Sequence, residues 1–101
     1  MVRSVVLDLG SVSLKVGYSS EREPRRVLPS SLGALFERSP SLTEAEWTLE
    51  LGVLLAGMYA DQLLCKARNF RLMVVEPLLA PKAFRRALAH VAFQQVIHDT
   101  I

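Results

Sequence analysis

A chain of 101 residues is one small domain with room for a single hydrophobic core, and half of its residues are apolar. A net charge of +2 and an isoelectric point near 9.0 are too mild for a nucleic-acid binder. The single cysteine, Cys65, excludes an internal disulfide framework and any paired-thiol metal motif. A mean hydropathy of +0.27 predicts more apolar surface than so short a chain covers alone, the mark of a fragment or a subunit.

Ser4–Leu9 is nearly all apolar and reads as a buried strand. Ser13–Ser19 alternates, with Leu14, Val16 and Tyr18 on one face and Ser13, Lys15 and Gly17 on the other. Arg25–Leu28 is a short third strand stopped by Pro29, so the chain opens as a three-stranded antiparallel meander. Residues 30–41 have no period and read as a connector. Thr43 and Glu46 fit a capping box, which starts a helix near Thr43. Trp47, Leu51, Leu54 or Leu55, and Met58 recur at helical spacing, and Leu49, Val53, Ala56, Ala60 and Leu63 form a second apolar row. Together they predict a helix with a broad apolar face running to about Arg68, roughly 36–38 Å long.

Arg71–Val75 reads as another buried strand, and Pro81 suits the first turn of a last helix that runs to about Ile97. A strand, helix, strand, helix order implies a right-handed crossover, which sets Arg71–Val75 parallel to Ser4–Leu9. Glu76 then shares the carboxyl edge of the sheet with Asp8, where α/β folds bind ligands. The longest apolar run, 52–60, is too short to cross a bilayer, and no signal region precedes the first strand. With one free thiol this predicts a cytoplasmic protein. Arg68, Arg71, Lys82, Arg85 and Arg86 form a solvated face without aromatic interleaving. His90, His98 and Cys65 have no partner at ligand or catalytic spacing, and Trp47 and Met58 read as core.

The stretch with chemistry in it is the first hairpin. Asp8 ends the first strand, Gly10 and Ser11 make the turn, and Lys15 sits on the returning strand. Such a turn can cradle a phosphate, with the backbone amides and Lys15 as donors and Asp8 orienting a hydrated Mg²⁺. It also reads as an ordinary hairpin with a glycine turn.

The order β-β-β-α-β-α, with Asp8-Leu9-Gly10-Ser11 followed by Lys15-Val16-Gly17-Tyr18, resembles the opening of actin and the actin-related proteins. Their first phosphate loop reads Asp-x-Gly-Ser-Gly-x-x-Lys-x-Gly-Phe. Pro24-Arg25-Arg26-Val27-Leu28-Pro29-Ser30 resembles their Pro-Arg-Ala-Val-Phe-Pro-Ser. Glu76-Pro77-Leu78-Leu79-Ala80-Pro81-Lys82-Ala83 resembles their Glu-Ala-Pro-Leu-Asn-Pro-Lys-Ala. The resemblance implies an α/β fold: the first subdomain of the actin-like, ribonuclease H-like ATPase fold, incomplete, with a meander, one parallel strand and two helices. It implies one partial domain over 1–101, with ATP and water-bridged Mg²⁺ at Asp8, Gly10, Ser11 and Lys15.

Two departures narrow it. Val12 stands where the loop has its second glycine, which puts close approach by a phosphate in doubt. About 13 residues separate Pro29 from Thr43, where actin inserts its small domain. The pattern is similar to the dynactin pointed-end actin-related protein, which implies a filament-terminating structural subunit in microtubule-based, dynein-driven transport. Its partners would be dynactin's actin-related filament and pointed-end subunits, with no nucleic acid and no membrane span. The chain is expected to be an N-terminal fragment or truncated isoform, and not an enzyme, because the family's second phosphate loop is missing. The alternatives are a nucleotide-binding fragment of an actin, sugar kinase or chaperone-type ATPase, and a small α/β interaction domain that only mimics the hairpin.

Overall fold

The structure, a computed structural model, describes residues 4–10, 12–30, 32–37, 41–76 and 80–100, with side chains up to residue 97. Four strands form one sheet: β1 Ser4–Leu9, β2 Ser13–Tyr18, β3 Arg26–Pro29 and β4 Arg71–Val75, in the order β3-β2-β1-β4. β1 and β2 pair antiparallel with Val5 opposite Tyr18 and Asp8 opposite Lys15. β2 and β3 pair antiparallel with Leu14 opposite Leu28. β4 runs parallel to β1, with Asp8 opposite Val75. Meander and crossover are as the residue pattern implies, with β3 one residue later than expected.

Burial along β1 alternates and β4 is half-buried to exposed along its length, which corrects the reading of both as buried strands. Val5, Leu7 and Leu9 are buried, while Val6 and Asp8 are partly open. Period-two geometry sends the odd side chains into the core and the even ones to the far face. The core joins the odd β1 residues and Val16 to helix residues Trp47, Leu51, Leu55, Phe84 and Leu88. Each of these buried large side chains contributes about 1.5–3 kcal/mol of transfer free energy.

The helices differ more from expectation. The connector contains a six-residue helix, α1 Leu32–Glu37, started where the Leu32 amide donates to the Ser30 hydroxyl at 3.1 Å. Leu32 is fully buried, and the Phe36 ring lies 5.3 Å from Trp47 and 5.1 Å from Phe84. Six residues are less than two turns, too few for apolar periodicity to register. The main helix, α2 Glu44–Gly57, has 14 residues and does not continue to Arg68. Its capping box forms as expected: the Glu46 amide donates to Thr43 Oγ1 and the Thr43 amide to Glu46 Oε1, both at 3.1 Å.

Beyond Gly57 the chain widens into a π-helical turn, Met58–Leu63, and leaves the helix at Leu64 with φ 53°. A 3₁₀ turn, Ala67–Asn69, then leads into β4. The second apolar row expected to be core is mostly exposed: Leu49, Val53, Ala56 and Ala60 face solvent, and Leu63 alone of that row is buried. The last helix, α3 Lys82–Thr100, runs three residues past the expected end. The Arg85 amide donates to the Pro81 carbonyl at 3.1 Å, so Pro81 sits at its start. The described residues thus hold three α-helices where the resemblance implied two. α2 and α3 pack together on the odd-residue face of the sheet.

Candidate functional site: the first hairpin and the open face of the sheet

Because Asp8 and Lys15 are directly opposite in the β1–β2 ladder, both side chains leave on the same face of the sheet. The neighbours of Asp8, Leu7 and Leu9, are buried, so that face is the one away from α2 and α3. Asp8 is partly buried and Lys15 is exposed. An acceptor and a long mobile donor therefore share one wall at the carboxyl end of β1.

Gly10 is needed, though not for a left-handed conformation, since no described glycine has positive φ. A Cβ there would run into the carbonyl oxygen of Ser13, so the backbone crosses too closely to carry a side chain. Ser11 lies outside the described residues. Val12 is 82% exposed at the rim of the turn, and its carbonyl accepts a hydrogen bond from the Ser30 amide at 3.0 Å. Its isopropyl group thus stands in water beside the bare backbone that a phosphate would approach.

The open face forms a groove of about 380 Å³ lined by Val6, Asp8, Lys15, Met73, Val75 and the 21–24 turn. The apolar wall was not foreseen. Its signal was in the sequence, since Val6, Met73 and Val75 share the strand parity of Asp8 or face it in register. Gly17 lies on this floor, and a Cβ on it would come within 2.9 Å of the Arg25 nitrogen, so the 24–25 turn needs glycine beneath it. Above the turn, the Arg25 guanidinium sits 4.8 Å over the Tyr18 ring and 3.1 Å from Glu21 Oε2. The hydrogen bond to Glu21 and its charge raise the Arg25 pKa further. The Tyr18 hydroxyl donates to the Leu63 carbonyl at 3.4 Å, which ties the hairpin to the π-helical turn.

Glu76 follows β4 at the carboxyl edge of the sheet, as expected, but its carboxylate is 3.2 Å from Arg85 Nε. That pair links strand end to helix start and turns Glu76 away from a ligand role. Cys65 is half-buried and His90 is exposed. The His98 side chain and residues 77–79 lie outside the described residues. Among Asp8, Gly10 and Lys15, the chemistry fits one flank of a phosphate: an ammonium, close bare backbone and a carboxylate able to bind metal-bound water.

A family profile described as Actin matches residues 1–52, just over half of the chain, and spans β1 to the first half of α2. This chain belongs to the actin family. It is also 25% identical to actin-related protein 10 of Dictyostelium discoideum over 122 residues, which takes in 91% of this chain and 26% of the relative. The chain therefore spans about a quarter of the length of that curated relative. The aligned stretch is longer than the 101 residues here, so the relative carries extra residues within it. Among the described residues no helix is long and apolar enough to cross a membrane.

Proposed function

We propose that this chain forms the first subdomain of a structural, dynactin-type actin-related protein, one that ends an actin-like filament and works in the cytoplasmic cytoskeleton. The observation that carries the proposal is the link from β3 to α2. Residues 30–43 are all that joins them, and α1 within that link folds into the core through Leu32 and Phe36. A link used in this way offers no projecting domain to a following subunit. A head-to-tail chain of contacts grows only while every unit presents both surfaces, so such a subunit closes the series. Similarity to an actin-related protein supports the actin-related part of this reading.

The proposal makes the chain a non-enzyme. Phosphoryl transfer needs donors on both sides of the phosphates, and Asp8, Gly10, Ser11 and Lys15 supply one. ATP with water-bridged Mg²⁺ is held weakly at most. The second reading, an ATP-binding module of an actin, sugar kinase or chaperone-type ATPase, is favoured by one fact: Asp8 and Lys15 stand side by side on one face of the sheet and line the same groove.

Co-purification tests the leading reading. A tagged version of the longest natural form of this protein should recover dynactin's actin-related filament and its pointed-end subunits. Recovery of no dynactin subunit would overturn it. Turnover of Mg-ATP above buffer by the 101 residues, lost in Asp8→Ala, would instead favour the second reading.

A further inference from the structure

The outer side of α2 carries apolar side chains where a surface helix is normally polar. Leu49 and Val53 are 73% and 78% exposed, Ala56 and Ala60 continue the row, and Leu64 ends it at 81%. Intervals of three or four residues hold Leu49, Val53 and Ala56 on one side of α2, and Ala56, Ala60 and Leu64 line one hollow, with Lys66 at its far end beyond the row. A surface helix normally buries its apolar side chains on one face, yet α2 buries only Trp47, Leu51 and Leu55 and leaves a second apolar row outside. Leu64 adds a second cost. Its φ of 53° lies in the left-handed region that a branched side chain enters against strain, and it follows a π-helical turn. Strained backbone here holds an apolar side chain out in water, which marks a contact surface.

The borders of the row say what fits it. Glu46 and Glu50 lie one turn apart along one border, beside Leu49 and Val53. Asp61 continues that border, with its Oδ2 3.9 Å from the Cβ position of Gly57. All three carboxylates are on exposed residues. On the other border Gly52 opens a notch of about 300 Å³ lined by Thr48, His90 and Gln94, and a Cβ on Gly52 would meet nothing within 4 Å. The surface is thus an apolar seam with an acidic edge on one side and a socket for one side chain on the other.

We propose that this face docks an amphipathic helix of a partner protein, one whose apolar seam is edged with lysine or arginine and seats an aliphatic side chain at Gly52. The acidic edge works against an anionic membrane, whose phosphates it would repel. A second copy of this chain meeting it through the same face would set one acidic edge against another.

The test uses the 101-residue chain and a fluorescein-labelled 18-residue leucine–lysine amphipathic helix, with its leucine–glutamate counterpart as control, read by anisotropy. The lysine peptide should bind at least about tenfold more tightly than the glutamate peptide, the difference expected of a complementary charged edge. Paired Glu50→Lys and Asp61→Lys substitutions should abolish that preference. Gly52→Leu fills the socket without touching the core, so binding should fall at least about fivefold with the circular dichroism unchanged and the midpoint no lower, leucine being the better helix former. Equal binding of the two peptides, or full affinity in Gly52→Leu, would overturn the proposal. So would binding to phosphatidylserine vesicles that Leu49→Lys abolishes, or a dimer in sedimentation equilibrium that Leu49→Lys dissolves.

Discussion

Lys15 and Asp8 owe their shared face to strand parity, and the same parity places Val6, Met73 and Val75 around them. Position 12 decides how useful that arrangement is. On the proposed reading, a valine side chain 82% exposed at the rim would obstruct a phosphate by size alone. Val12→Gly should therefore tighten binding of a fluorescent ATP analogue by about tenfold, or 1.4 kcal/mol, and an unchanged titration would remove Val12 from the account. Trp47 raises a different issue. Its indole N–H is fully buried and has no hydrogen-bond acceptor among the described residues. Trp47→Ala should cost about 3–5 kcal/mol through the cavity it leaves. Trp47→Phe should cost less than half as much, because it also removes a stranded donor worth about 1–3 kcal/mol. Equilibrium urea unfolding of the two variants checks the order.

At the scale of elements, the strands and the start of α2 were legible in the sequence because their signals are local and strong. Thr43 and Glu46 cap each other as the spacing requires, and Thr43→Ala should lower stability by about 1 kcal/mol in the same unfolding assay. The end of α2 was not legible. Apolar spacing continues through Met58, Ala60 and Leu63, but the chain has switched to a π-helical turn there, and no periodicity count distinguishes that from an α-helix. Nor does apolarity reveal burial: Leu49 and Val53 read like Leu51 and Leu55, and only the packing of α3 decides which pair is inside. α1 was invisible for its length, although Phe36 completes a three-ring cluster with Trp47 and Phe84. Phe36→Ala should destabilise the fold by roughly 3 kcal/mol, where a solvated connector would lose less than 0.5.

For the molecule as a whole, the residue pattern gave the meander and the parallel strand and the resemblance gave the fold family, while Ser11 remains outside the described residues. The central claim concerns the link between β3 and α2 and does not rest on nucleotide chemistry. It is tested most directly at the growing end of a filament. Fluorescent filaments of dynactin's actin-related protein, supplied with the longest natural form of this protein, should stop adding subunits at the pointed end once it has bound. An actin-type insertion grafted between Glu37 and Ser41, placed there so that Leu32 and Phe36 keep their places in the core, should let growth resume. Pointed-end growth that continues at an undiminished rate with the ungrafted protein bound would contradict the account.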